Sequence, residues 1–95
     1  MSVMKIKFYA ALRDVVGEAS VEVDLPEGSS AQKLLDLLVT QHPGLEEELT
    51  DEGGHLHGYL KMFINGREVV YLDGQFQHVL DPGDTVDIFP PVGGG

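Results

Sequence analysis

Ninety-five residues, 42% of them hydrophobic, supply one modest core, so the chain is expected to form a single small domain that folds without staples. Six basic residues against sixteen acidic ones give a formal charge of −10, which repels phosphate backbones and anionic lipid and argues against nucleic-acid and membrane partners. The same acidity favours a basic partner protein, or serves only solubility, including at high internal salt. Cysteine is absent, which excludes disulfides, thiolate metal sites and a cysteine nucleophile. Met1 leads almost directly into Lys5-Ile6-Lys7-Phe8 without a signal-peptide pattern, and no apolar run approaches the about 20 residues of a membrane span. A cytoplasmic protein is expected.

Met4, Ile6, Phe8 and Ala10 alternate with Lys5, Lys7 and Tyr9, the two-residue period of a strand with one buried face. After a connection through Arg13-Asp14-Val15-Val16-Gly17-Glu18, Val21, Val23 and Leu25 alternate with Glu22 and Asp24 until Pro26-Glu27-Gly28 stops the run. These two strands read as a hairpin. Ser29 and Ser30 offer an N-cap hydroxyl, Gln32 is placed to complete a capping box with Ser29, and Ala31, Leu34, Leu35 and Leu38 form one apolar helical stripe. His42-Pro43-Gly44 ends the helix, and Leu45 to Leu49 allow one further short turn.

The polar, glycine-rich segment from Asp51 to Gly58 reads as a surface loop. Leu60, Met62 and Ile64 then alternate with Tyr59, Lys61 and Phe63, and Asn65-Gly66 is a strong hairpin signal that sends Glu68 to Leu72 back as a paired strand. Asp81-Pro82-Gly83-Asp84 turns the chain into a last strand with Val86 and Ile88 inward and Thr85, Asp87 and Phe89 outward, before Pro90-Pro91 blocks further pairing. The order strand, strand, helix, strand, strand, strand predicts an α+β domain: a mixed sheet of four to five strands covered by one main helix, which is the β-grasp order. Residues 1–91 are expected to form that domain, and residues 92–95 a flexible glycine tail.

Beyond the two stiff prolines stand Gly93, Gly94 and Gly95. Glycine lacks Cβ, so such an end can enter a channel too narrow for any side chain and present its carboxylate to a partner's active site. A carboxylate becomes a useful electrophile once its oxygen is made a leaving group, as in an acyl-adenylate formed from ATP. The alternative is an ordinary frayed terminus, which composition and spacing leave open.

Phe89-Pro90-Pro91-Val92 with its glycines, Asn65-Gly66, Asp81-Pro82-Gly83-Asp84 and the run from Tyr9 through Ala10-Ala11-Leu12-Arg13-Asp14-Val15-Val16 to Gly17 resemble the MoaD family over nearly the whole chain. That family comprises ubiquitin-like sulfur carriers, the small subunits of molybdopterin synthase, and its archaeal relatives are the small archaeal modifier proteins. The resemblance implies a ubiquitin-like β-grasp fold and a C-terminal glycine, here Gly95 preceded by Gly94, that an E1-like enzyme adenylates with ATP. Sulfur would then replace the adenylate to give a thiocarboxylate, used in the large subunit of molybdopterin synthase for cofactor biosynthesis. In the modifier relatives a lysine amine attacks instead and leaves an isopeptide bond. One departure is Gly93, where the family pattern has Ser, Thr or Ala. The resemblance makes the chain a carrier and substrate rather than an enzyme. It holds no cofactor of its own, and ATP is handled by the activating partner.

Docking needs a surface as well as a tail. The outward Phe63 and Phe89, with Val69 as a further candidate, are expected to form an apolar patch beside Pro90, Pro91, Val92 and Gly93. His55 and His57 near Asp51 and Glu52 are weak metal-site material, and none is assigned. The carboxylates show no acid–base pairing, and no phosphate-cradling G-x-x-x-x-G-K-[ST] motif appears. The rival reading is a β-grasp module that binds a partner without covalent chemistry.

Overall fold

The computed structural model describes residues 2–91. Strand β1 (Ser2–Phe8) turns Met4, Ile6 and Phe8 into the core as the alternation requires. The pattern breaks one step later. Ala10, read from the alternation as the next inward residue, is exposed at φ 53° and opens helix α1 (Ala10–Val16). The segment expected to be a plain connection is therefore helical. Its periodicity is invisible because Leu12 alone of its seven residues is buried. Gly17, left-handed at φ 88°, ends the helix by donating its N–H to the Arg13 carbonyl.

Strand β2 (Ser20–Leu25) then pairs antiparallel with β1, from Ser2 opposite Leu25 to Lys7 opposite Ser20. Helix α2 (Ala31–Gln41) follows, capped by Ser30, whose Oγ accepts from the Lys33 N–H at 3.1 Å. The expected Ser29–Gln32 capping box does not form. The Ser29 hydroxyl is buried and donates to the Pro26 carbonyl, while Gln32 Nε2 donates to Asp36 and to the Gly54 carbonyl. Ala31, Leu34, Leu35 and Leu38 are all fully buried, so the stripe covers the sheet. After the turn at His42-Pro43, helix α3 (Glu46–Leu49) sets Leu49 into the core.

Strand β3 (Lys61–Ile64) turns back through Asn65 at φ 53° and Gly66 at φ 83°, both in the left-handed region that the hairpin demands. Its partner β4 spans only Arg67–Glu68. The strand expected to run to Leu72 becomes a 3₁₀ turn at Val69–Tyr71, because that turn carries Val69 into the core at 1% exposure. Strand β5 (Val86–Phe89) takes the centre of the sheet, in the order β2-β1-β5-β3-β4. It is parallel to β1 and antiparallel to β3, so β2 and β3 run the same way with two strands between them and α2 in the crossover. This five-stranded mixed sheet with a helix across one face is the β-grasp arrangement that the element order predicts. Among the described residues no helix is long and apolar enough to cross a membrane.

Candidate functional site

The face of the sheet away from α2 carries the outward residues of β1, β5 and β3. Register places Asp87 between Lys7 and Phe63, and Phe89 beside Lys61. Near the end of β5 three aromatic rings meet. Tyr9 stacks face to face on Phe89, with centroids 4.3 Å apart and planes 7° apart, and Phe63 meets Phe89 edge-on at 5.3 Å and 79°. The Tyr9 hydroxyl donates to Asp87 Oδ1 at 2.9 Å. That bond to Asp87 retains the phenolic proton and raises the Tyr9 pKa above its ordinary 10.0, with burial acting in the same direction.

Beside the rings lies an open trough of about 580 Å³, almost wholly apolar. Phe63, Phe89, Pro90, Pro91, Ala10 and Gly66 line it, and Lys61 and Asp87 are its charged members. Lys61 Nζ is 3.6 Å from Glu68, which keeps one cation of the rim paired. An apolar depression with few polar groups is the form a surface takes when it seats an apolar projection of another protein.

Four of the residues expected to meet a partner, Phe63, Phe89, Pro90 and Pro91, therefore share one surface. Phe63 and Phe89 are half-buried rather than fully exposed, because each shields the other. Val69 does not belong to this surface, since it is in the core. Val92, Gly93, Gly94 and Gly95 lie outside the described residues. Sequence reasoning missed Tyr9 and Asp87 as site residues. Their outward positions on strands were visible, but the contact between them spans 78 positions, and no spacing rule reaches that far.

The histidine loop serves itself. Asp51 Oδ1 accepts from the N–H groups of Gly53 and His55 and lies 3.7 Å from the His55 ring. His57 bonds the Glu47 carbonyl and stacks on Tyr59 at 4.8 Å. Among the described residues no three His, Asp or Glu side chains converge as metal ligands.

Residues 6–95 match the ThiS family, a span that includes every residue of the trough and the glycines beyond it. The chain belongs to the ThiS family. Small archaeal modifier protein 3 of Haloferax volcanii is 36% identical over 92 residues, covering 97% of this chain and 98% of that protein. The molybdopterin synthase sulfur carrier subunit of Homo sapiens is 27% identical over 92 residues, covering 97% of this chain and 93% of that one. The crystal structure of small archaeal modifier protein 1 from Haloferax volcanii superposes with a TM-score of 0.83 at 31% identity, covering 99% of this chain and 100% of that one. The relatives of this ThiS-family chain are thus ubiquitin-like carriers and modifiers, and Pro90 and Pro91, the last residues described, line the trough.

Proposed function

We propose that this protein is a ubiquitin-like carrier activated in trans at Gly95. The trough around Phe63 and Phe89 docks an E1-like enzyme, and Gly93 and Gly94 thread residues 92–95 into that enzyme's active site. The Gly95 carboxylate attacks the α-phosphorus of ATP and pyrophosphate leaves. A sulfide-level nucleophile then displaces AMP to give a thiocarboxylate, or a target lysine amine displaces AMP and loses a proton to give an isopeptide bond. In the first fate the thiocarboxylate serves the large subunit of molybdopterin synthase; in the second the chain is a protein modifier. ATP binds the activating enzyme and not this chain. The domain comprises residues 1–91, and the reaction belongs to the cytoplasm.

The observation that carries this reading is the apolar aromatic trough at the exit of β5, immediately before Pro90-Pro91, within a ThiS-family match that runs on to Gly95. The test is to express a tagged chain in its native cells, purify under denaturing conditions, and compare it with a Gly94–Gly95 deletion by gel and peptide mass spectrometry. Adducts joining Gly95 to lysines, absent from the deletion, establish the modifier. Free chain with a terminal oxygen replaced by sulfur establishes the carrier. Unmodified chain throughout, with partner capture surviving the deletion, overturns both and leaves a non-covalent module.

A further inference from the structure

Phe89 is the last residue of β5, and the Tyr9 ring lies flat against it. Asp87 and Phe89 stand two positions apart on that strand and so face the same way. With its hydroxyl on Asp87 and its ring flat on Phe89, the Tyr9 phenol lies lengthwise over β5 and is fixed at both ends. Its backbone is constrained as well. Tyr9 is extended at φ −128° and ψ 154°, Ala10 turns sharply at φ 53°, and the Tyr9 carbonyl accepts from the Arg13 N–H at 3.4 Å.

The two prolines after Phe89 make this fixation consequential. Pro90 and Pro91 have no N–H for the ladder and a locked φ, so they transmit the direction set at Phe89 instead of absorbing it. The direction in which the chain leaves the sheet therefore depends on how Phe89 is seated. Among its described contacts the Tyr9 hydroxyl bonds only Asp87, and the residues that line the trough include Phe63 and Phe89 but not Tyr9.

We propose that the Tyr9–Asp87 pair is a positioning device: it seats Phe89 so that Pro90-Pro91 aim the tail at the activating enzyme's active site. This rests on the reading that the tail is activated after docking at the trough. Docking and aiming separate in kinetics, because a lost contact weakens binding, whereas a misdirected carboxylate lowers the rate within the complex.

The experiment is ATP–pyrophosphate exchange by the E1-like enzyme of the source cells, with the full chain as varied substrate. Tyr9→Phe keeps the ring and loses the hydroxyl that fixes its far end; its kcat falls about three- to tenfold, as expected for one such hydrogen bond, while its KM stays within about twofold. Asp87→Ala falls to the same level, and the double variant falls no further, because both remove one interaction. Asp87→Asn, whose amide oxygen still accepts from the phenol, keeps most of kcat. Thermal unfolding and near-ultraviolet circular dichroism confirm that each variant is folded. An unchanged kcat in Tyr9→Phe, whether or not KM moves, overturns the inference. Phe89→Ala, measured alongside, tests the underlying reading: a raised KM supports docking at the trough, and wild-type kinetics would remove the docking reading itself.

Discussion

The side-chain amide of Gln41 meets Asp24 at both of its ends: the Asp24 N–H donates to Gln41 Oε1 at 3.0 Å, and Gln41 Nε2 donates to the Asp24 carbonyl at 2.9 Å. This is the pair of bonds a neighbouring strand would make to one residue of β2, and β2 is an edge of the sheet. His42 adds a third at 2.9 Å, on the Glu22 carbonyl. The last turn of α2 thus occupies an edge that is otherwise a template for pairing with another chain. Gln41→Ala is expected to cost about 0.5–1.5 kcal/mol of unfolding free energy. The Gln41→Ala, His42→Ala pair is expected to raise the average mass with concentration in sedimentation, and a strictly monomeric double variant would refute this role.

Leu38 sits in the apolar stripe of α2 at full burial. Leu38→Ala is expected to cost about 2–5 kcal/mol, a large share of the roughly 5–15 kcal/mol of a typical domain. Denaturant unfolding checks the size, and a loss below about 1 kcal/mol would mean that the site collapses without leaving a cavity.

Ala10 holds a left-handed conformation at φ 53°. That costs an L-residue roughly 1–2 kcal/mol, against about 0.4–1 kcal/mol of added chain entropy for glycine in the unfolded state. Ala10→Gly is therefore expected to raise the unfolding free energy by about 0.5 kcal/mol, and Ala10→Val to lower it. Opposite signs in chemical denaturation would show that the turn is set by something other than backbone strain.

Tyr9 holds its proton more tightly folded than unfolded, mainly through the bond to Asp87. Its contribution to stability is complete below the unfolded value near 10.0 and is lost as pH rises through the folded value. Subtracting the tyrosinate absorbance titration of Tyr9→Phe from that of the wild type isolates this group, and its midpoint is expected above 10.0. Asp87→Ala is expected to lower that midpoint, because it removes the hydrogen bond and, with it, the carboxylate charge; an unmoved midpoint would contradict the assigned cause.

Asp51 runs the opposite way. Hydrogen bonds from the N–H of His55 first, and of Gly53 as well, favour its carboxylate and hold its pKa below the ordinary 3.8. The loop order it provides is present above 3.8 and is lost as pH falls through the lowered value. The amide resonances of Gly53 and His55 are expected to titrate together in acid with a midpoint below 3.8, and a midpoint at or above it would count against the loop geometry.

The elements that bury a regular stripe are legible in the sequence. Met4, Ile6 and Phe8 announce β1 by alternation, and Ala31, Leu34, Leu35 and Leu38 announce α2, because one buried face imposes its period on the residue types. Asn65-Gly66 announces its turn through the positive φ that both residues adopt. Helix α1 was illegible because only Leu12, with the partly buried Val16, packs it onto the core, and the shortness of β4 because burial of Val69 outweighs continued pairing. Half of the trough's lining was legible: the outward Phe63 and Phe89, whose side of the sheet follows from parity, and Pro90 and Pro91. That Tyr9 would reach them depends on β1 and β5 lying side by side, a relationship between the two ends of the chain that no local pattern records.

Because β5 lies in the middle of the sheet, bonded to β1 on one flank and β3 on the other, it behaves as a mechanical anchor. Its inter-strand hydrogen bonds run across the direction of the strand. A pull applied at Pro91 along β5 therefore loads the bonds on both flanks together, in shear, instead of peeling them away one by one. Tension on the exit segment is shared by the whole sheet before any single strand yields.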